Sequence, residues 1–417
     1  MVPSMDVQCC IAGGGPAGMM LGYLLGRAGV STVVLEKHAD FLRDFRGDTV
    51  HPSTMQIMQE LGLLEDFLKR PHSEIRSFSA EIGDRSFKVA DFEHVPCACR
   101  FIALMPQWHF LNFLLEKGWG FRELKVMMST EVTGLTEAGG RVTGVTAMTV
   151  DGPIEIRARL VVGCDGRRSQ VRAAAALAVQ DLGSPIDVLW FRLSKKPDDP
   201  KDVLGRLSLD KMIVTIDRDD YWQCAFVIAK GGSEPVRAAG IEAFRKAVAD
   251  GARFLADRVG ELKSFDDVKL LSVAVDRLTD WSKPGLLCIG DAAHAMSPVG
   301  GVGINLAIQD AVATANLLAS KLKAGTLVDR DLIAVRRRRL FPVRVIQRAQ
   351  VLVQNRVLRP IVSGKIRSLR VPWILERLNA NAWLRRWPAQ VIGLGLRPEH
   401  VRSPNCVSID GIPSRIG

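Results

Sequence analysis

Three short glycine/aspartate motifs, far apart but in a fixed order, constrain this chain more than any other feature. Gly13-Gly14-Gly15-Pro16-Ala17-Gly18 stands near the start, Gly163-Cys164-Asp165-Gly166 lies mid-chain, and Gly290-Asp291-Ala292-Ala293-His294 falls in the last third. The largely apolar run 6–12, followed at once by glycines, predicts a short buried strand. Gly13, Gly15 and Gly18 keep the G-x-G-x-x-G spacing. The first permits a tight turn, the second lets backbone approach a pyrophosphate, and the third lets helix and strand pack closely. Pro16 suits the first helical position. With Ala17 it opens an Ala/Met/Leu-rich helix over about 16–28, whose N-terminal amides would face phosphates. A second strand, 31–35, ends at Glu36, the spacing and residue type that bond ribose hydroxyls. A carboxylate there disfavours a 2′-phosphate, and with it NADP. A ligand-free strand–helix turn is the alternative, and it leaves the acid and the two later motifs without a purpose. Together the three motifs point to one dinucleotide, FAD, held by loops from distant parts of the chain.

The set resembles the single-component FAD-dependent monooxygenases of the para-hydroxybenzoate hydroxylase fold, aromatic and ubiquinone-biosynthesis-type hydroxylases among them, over roughly residues 6–320. The resemblance implies an α/β fold: a discontinuous Rossmann-like FAD-binding domain, an interleaved β-sheet substrate domain and a helical C-terminal region. It places Asp165 and Gly166 in a loop close to FAD that serves both flavin and reduced nicotinamide. Gly290 and Asp291 would meet the ribityl chain, whose hydroxyls suit a charged acceptor. Arg46 matches an arginine beside the adenosine and pyrophosphate. Gln107, opening a helix over 107–115, matches a glutamine that reaches the ribityl region. Backbone amides of Gly303, Ile304 and Asn305, at the start of a long apolar helix over about 303–322, would face the flavin N1–C2=O edge, where charge collects on reduction. Pro298 would lie against the ring and help keep the pocket dry, as a C4a-hydroperoxyflavin requires.

The implied activity uses NAD(P)H and O2 to hydroxylate an aromatic or other hydrophobic small molecule. His51 and His294 neighbour flavin-site residues, each as a base near neutral pH or as a structural hydrogen-bonding group. Only Tyr23 and Tyr221 are tyrosines, and Tyr23 falls in the nucleotide helix, so a tyrosine relay is not expected. Tyr221 and Trp222 are candidates to line the substrate pocket, with burial in the sheet core as the other option. Two rivals share the fold: a reductase of a hydrophobic or lipid-like substrate, and a flavin-binding non-enzyme. The Trp-x-Trp-x-Ile-Pro motif of flavin halogenases is missing.

The same resemblance divides the chain into an FAD domain of 1–72, 97–182 and 283–340, a substrate domain of 73–96 and 183–282, and a basic helical region of 341–417. No second G-x-G-x-x-G occurs, as expected where nicotinamide has no Rossmann domain of its own. Eight scattered cysteines without paired C-x-x-C elements, and seven histidines without metal spacing, point to no metal and to a reducing, cytoplasmic setting. The start is not a secretory signal, and no apolar run is long enough to span a membrane. Charge is uneven: of a formal +11, the stretch from Arg336 to Arg402 carries sixteen Lys/Arg against Glu376 and Glu399. After the run Arg336-Arg337-Arg338-Arg339, helical spacing predicts an apolar stripe of Val345, Ile346, Ala349, Leu352, Val353 and Val357. Trp373, Trp383 and Trp387 follow among more arginines. This region suits an anionic membrane surface, an acidic partner, or packing on the flavin domain. Nucleic acid is not expected, since no recognition motif accompanies the charge.

Overall fold

A computed structural model describes residues 2–42, 49–83, 85–200, 205–218, 220–364 and 371–406. The strand Ser4–Ala12 lies inside an eight-stranded sheet, parallel to Gly152–Gly163 on one side and to Thr32–Leu35 on the other. Its second half, Cys9 to Ala12, is fully buried, as a strand covered on both faces must be. Leu286–Cys288 and Leu124–Met127 continue the parallel order outward, and an antiparallel hairpin, Glu131–Ala138 with Arg141–Thr149, feeds Gly152–Gly163. The nucleotide helix Pro16–Arg27 packs on this sheet beside the long helix Gly303–Ala324. Register sets Ala12 opposite both Leu35 and Gly163, and Gly163 opposite Cys288. The three motifs therefore leave neighbouring strands at their carboxyl ends, where open α/β sheets bind ligands.

A seven-stranded sheet stands apart, in the order Lys269–Leu271, Ile186–Ser194, Tyr221–Ala229, Met212–Asp217, Gly205–Leu207, Ser77–Ile82, Arg85–Asp91. Strand alternation divides it into two faces. Leu189, Phe191, Leu193, Ile213, Trp222, Cys224 and Phe226 point outward into a core closed by Phe244 and Val248 of the helix Ile241–Gly251. Val188, Ala225 and Val227, with Trp190, Met212 and Val214, form the other face and pack with Val299, Val357, Leu358 and Val362. Ser73–Ile75 does not join this sheet. It pairs with Ile102–Leu104, which also holds Thr49–Val50.

The C-terminal region opens with the helix Asp329–Val353, which continues through a π-helical turn, Gln354–Leu358, into Arg359–Val362. Its buried face is not the expected apolar stripe. Leu352 and Val353 are exposed, whereas Gln347, Gln350 and Gln354 are buried beside Val343 and Ile346. The surface they cover is largely loop backbone, which needs hydrogen-bonding side chains rather than methyl groups. Two further helices, Trp373–Ala380 and Ala382–Gly393, lie over the edge strand Arg85–Asp91.

Candidate flavin and substrate site

The first glycine turn is shaped for a ligand. A Cβ on Gly13 would come within 2.5 Å of the Cys164 carbonyl oxygen, and one on Gly18 within 1.9 Å of the Gly13 carbonyl. At Gly15 the same atom would meet nothing within 4 Å. Two glycines are thus required for packing, while the third faces open space at the helix start. No side chain caps that helix, whose first residue is Pro16 with Ala17 buried behind it, so its leading amides are available to an anion. The Glu36 carboxylate accepts the Gly14 amide (3.0 Å) and the His38 amide (3.1 Å), which fixes it at the end of its strand.

The second motif touches the first: the Cys164 amide donates to the Ala12 carbonyl at 2.7 Å. Asp165 turns one carboxylate oxygen to the amide of Val171 (3.1 Å), tying its loop to the following short helix. Its other oxygen is buried without a partner, and burial pushes the carboxyl above its ordinary value. Gly166 adopts φ +83° beside open space. Asp291 of the third motif approaches Arg167 of the second at 3.7 Å, both half-buried. Gly290 donates its amide to Asp310 at 3.1 Å. The helix Gly303–Ala324 begins at Val302 without a side-chain cap, leaving the amides of Gly303, Ile304 and Asn305 as orphan donors of a first turn. Asn305 uses its side chain elsewhere: Oδ1 accepts from the His51 amide (3.0 Å) and Thr54 Oγ1 (2.7 Å). Gly301, at φ +64°, lies against Thr49, whose hydroxyl donates to the Gly301 carbonyl at 2.8 Å. Pro298 is half-buried on this loop, and Gln107 is half-buried at the start of Gln107–Gly118. Arg46 lies outside the described residues.

An open cradle at Gly15, an orphan carboxylate oxygen at Asp165 and two uncapped helix starts are what a dinucleotide with a charge-accepting ring would fill. These residues fit FAD.

Both histidines are buried: His51 is 0% and His294 1% exposed. His51 Nδ1 donates to the Ile392 carbonyl at 2.7 Å, and burial lowers its pKa to about 4. His294 packs against Trp281 with the rings tilted by 39° and bonds Asp310 Oδ2 at 2.6 Å. Asp310 also accepts Arg339 Nε at 2.9 Å, and Arg339 reaches the Arg397 carbonyl and Glu399. Burial opposes the Asp310 charge, yet His294 and Arg339 hold its carboxyl below the ordinary value.

Trp222 points into the outer core of the seven-stranded sheet, toward Phe244 and Val248. Its indole N–H donates to Asp199 at 2.6 Å, and Asp199 is clasped by both Arg258 NH groups at 2.7 and 2.8 Å, all behind the sheet. Alternation puts Tyr221 on the opposite face, where its ring carries Arg192 at 5.1 Å. That face also bears Gln223, 4% exposed, whose Oε1 accepts from Arg218 at 3.1 Å and whose Nε2 has no partner. Sequence reasoning passed over Gln223 because a lone glutamine between aromatic and apolar neighbours carries no motif.

The fold and the three-loop cradle define a flavoprotein of the α/β class with a separate seven-stranded sheet. The model of the FAD binding domain family matches residues 6–349. The chain is 33% identical over 356 residues to 6-methylpretetramide 4-monooxygenase of Streptomyces rimosus, covering 84% of this chain and 85% of that one. It is 28% identical to rifampicin monooxygenase of Streptomyces venezuelae over 72% of this chain, but spans only 61% of that longer relative. PqsL from P. aeruginosa superposes with a TM-score of 0.74 at 21% identity, over 87% of this chain and 100% of that one, a likeness of fold. The chain belongs to the FAD-dependent aromatic monooxygenases of the para-hydroxybenzoate hydroxylase type. Its cofactor is FAD, its co-substrates are NAD(P)H and O2, and it acts on an aromatic compound. No helix among the described residues is long and apolar enough to cross a membrane.

Proposed function

We propose that this enzyme hydroxylates a phenolic, fused-ring substrate held between the flavin and the inner face of the seven-stranded sheet. The name of the relative from Streptomyces rimosus supports the fused ring, and the unpartnered Gln223 Nε2 on that face supports where it lies. Bound FAD supplies reduction by NAD(P)H and activation of O2. Gly13, Gly15 and Gly18, with the helix start at Pro16 and Ala17, hold the pyrophosphate, and Glu36 the adenosine ribose. Gln107 and Asp291 take the ribityl chain, and the loop of Asp165 and Gly166 closes over it. The amides of Gly303, Ile304 and Asn305 offset charge at the pyrimidine edge, while Pro298 and Val299 exclude water. Gln223 Nε2 is the polar contact for a substrate oxygen, because a buried amide N–H without a partner costs about 1–3 kcal/mol until one arrives. His51 and His294 act as structural groups, not bases. A cytoplasmic location suits the unpaired thiols, of which Cys9, Cys10, Cys164, Cys224 and Cys288 are buried and pushed up in pKa by that burial.

The single observation that carries this proposal is the convergence of three loops and an uncapped helix start at one end of the parallel sheet. Turnover of 6-methylpretetramide and simpler phenols with NADH or NADPH tests it. A product heavier by one oxygen is expected. A product heavier by two hydrogens would make the enzyme a reductase.

The C-terminal hairpin supports a peripheral contact with an anionic membrane. Trp373, Trp383 and Trp387 are 73%, 58% and 61% exposed, and Trp383 and Trp387 share one face of their helix. Tryptophan is rarely left so bare. Around them stand Arg377, Arg385 and Arg386, while the one acid, Glu376, is matched by Arg85 at 3.3 Å. Flotation of the holoenzyme with vesicles containing phosphatidylglycerol should carry it upward, and W383S/W387S should remain below. Flotation that survives the double substitution, or a dimer that the substitution dissolves, would overturn the membrane contact.

A further inference from the structure

The glutamines on the buried face of the long C-terminal helix have no assigned purpose, and all three grip one loop. Gln347 Nε2 donates to the carbonyls of Ala295 (3.0 Å) and Asp276 (2.7 Å). Gln350 accepts the Ser297 amide at 3.1 Å and donates to the carbonyls of Ser297 (3.0 Å) and Val299 (2.8 Å). Gln354 donates to the Ser297 hydroxyl, which itself accepts the Val299 amide at 3.2 Å. Spaced i, i+3 and i+7, they form one stripe. Gln347 and Gln354 are 0% exposed and Gln350 is 5%. The helix turns π-helical at Gln354, a local irregularity often found at functional sites.

The gripped residues run from Ala295 to Val299, and Val302 then opens the helix with the uncapped amides. We propose that Gln350 and Gln354 are positioning residues: from the C-terminal helix they fix the backbone around Pro298, and with it the aim of the Gly303–Asn305 amides at the flavin. The assignment rests on the flavin site proposed above but not on the identity of the substrate. A side chain that both donates and accepts is needed here, since the loop offers carbonyls and an amide side by side. The strand and helix that flank the loop have their own backbone ladders, so the loop is the part that depends on an external clamp.

The test uses the FAD-loaded full chain and the variants Q350M, which keeps the volume and loses every bond, and Q350E, which keeps only the accepted one. Two quantities are read: hydrogen exchange of the peptide covering 295–302, and the midpoint potential of the bound flavin. The expected result is exchange faster by about tenfold or more in Q350M, less in Q350E, with a potential displaced to more negative values as the amides lose their aim. Faster exchange with an unmoved potential would reduce the glutamines to a brace of the fold. Unchanged exchange would show that the loop holds itself. Loss of FAD from Q350M alone leaves Q350E to decide by the same two readings. Failure of wild-type enzyme to insert oxygen would sink the hydroxylase proposal and leave both readings intact.

Discussion

At Gly15 a single hydrogen atom separates a ligand site from a filled one. Its φ of −72° is open to any L-residue, and no atom lies within 4 Å of a Cβ there. Gly15→Val should therefore fold with an unchanged apoprotein melting temperature and bind FAD roughly 100-fold more weakly, about 2.7 kcal/mol. Gly18→Val, whose Cβ would lie 1.9 Å from a carbonyl oxygen, should not give folded protein. Fluorescence titration with FAD and a melting curve separate the two; equal FAD affinity in Gly15→Val would refute the cradle. His51 sets a pH signature. Burial depresses its folded pKa to about 4, below the ordinary 6.5, so the unfolded chain binds the proton first as pH falls. The stability it contributes is complete above pH 6.5 and drains away down to pH 4, by about 3 kcal/mol. Urea denaturation at pH 7.5 and 4.5 should show a smaller loss in His51→Gln than in wild type, and equal losses would contradict the assignment. The glycines were legible because turn geometry is local. The bond from His51 to a carbonyl 341 positions away was not, because packing decides it.

Between elements, strand phase and helix face decide which residues meet the site. Tyr221–Ala229 was legible as a strand, but both of its faces are covered, so apolar pattern alone could not tell which way Trp222 points. The same holds for the long C-terminal helix, where an exposed Leu352 and a buried Gln350 invert the hydrophobic pattern. Arg339, one of four consecutive arginines, reads in sequence as a solvated charge. It is 0% exposed and joins Asp310, which in turn holds the Gly290 amide and His294. Removing one partner of such a buried pair typically costs about 3–5 kcal/mol. Arg339→Met should lose that much in urea denaturation, and adding Asp310→Asn should return part of it, because the stranded charge goes too. Strict additivity of the two substitutions would mean that they do not act through each other.

Across the whole molecule, the stretch from Ile392 to Cys406 works as a strap. Its carbonyls accept from His51, Gln309 and Arg339, its Glu399 meets Arg338 and Arg339, and Val401 and His400 bond Glu60. At its end the Cys406 amide donates to the Arg27 carbonyl at the close of the nucleotide helix, at 2.9 Å. Ending the chain after Leu396 should lower the melting temperature of the holoprotein by about 5 °C or more, since the buried Arg339 then keeps Asp310 but loses Glu399 and the Arg397 carbonyl. An unchanged melting temperature would show the strap to be ornament. Nothing in the sequence marks it, since it has no period and every partner is remote. The flavin fold was legible by contrast, because each motif announces its own strand, turn and helix, and parallel order then brings the three together.

In the function proposed, these loops and the inner sheet face direct oxygen onto an aromatic ring. Turnover under ¹⁸O₂ with NAD(P)H and a fused-ring phenol such as 6-methylpretetramide, followed by mass spectrometry, tests it most directly. Each product molecule should carry one ¹⁸O atom, and Gln223→Leu should give a lower yield. Product without the heavy isotope, or a substrate saturated rather than oxygenated, would contradict it.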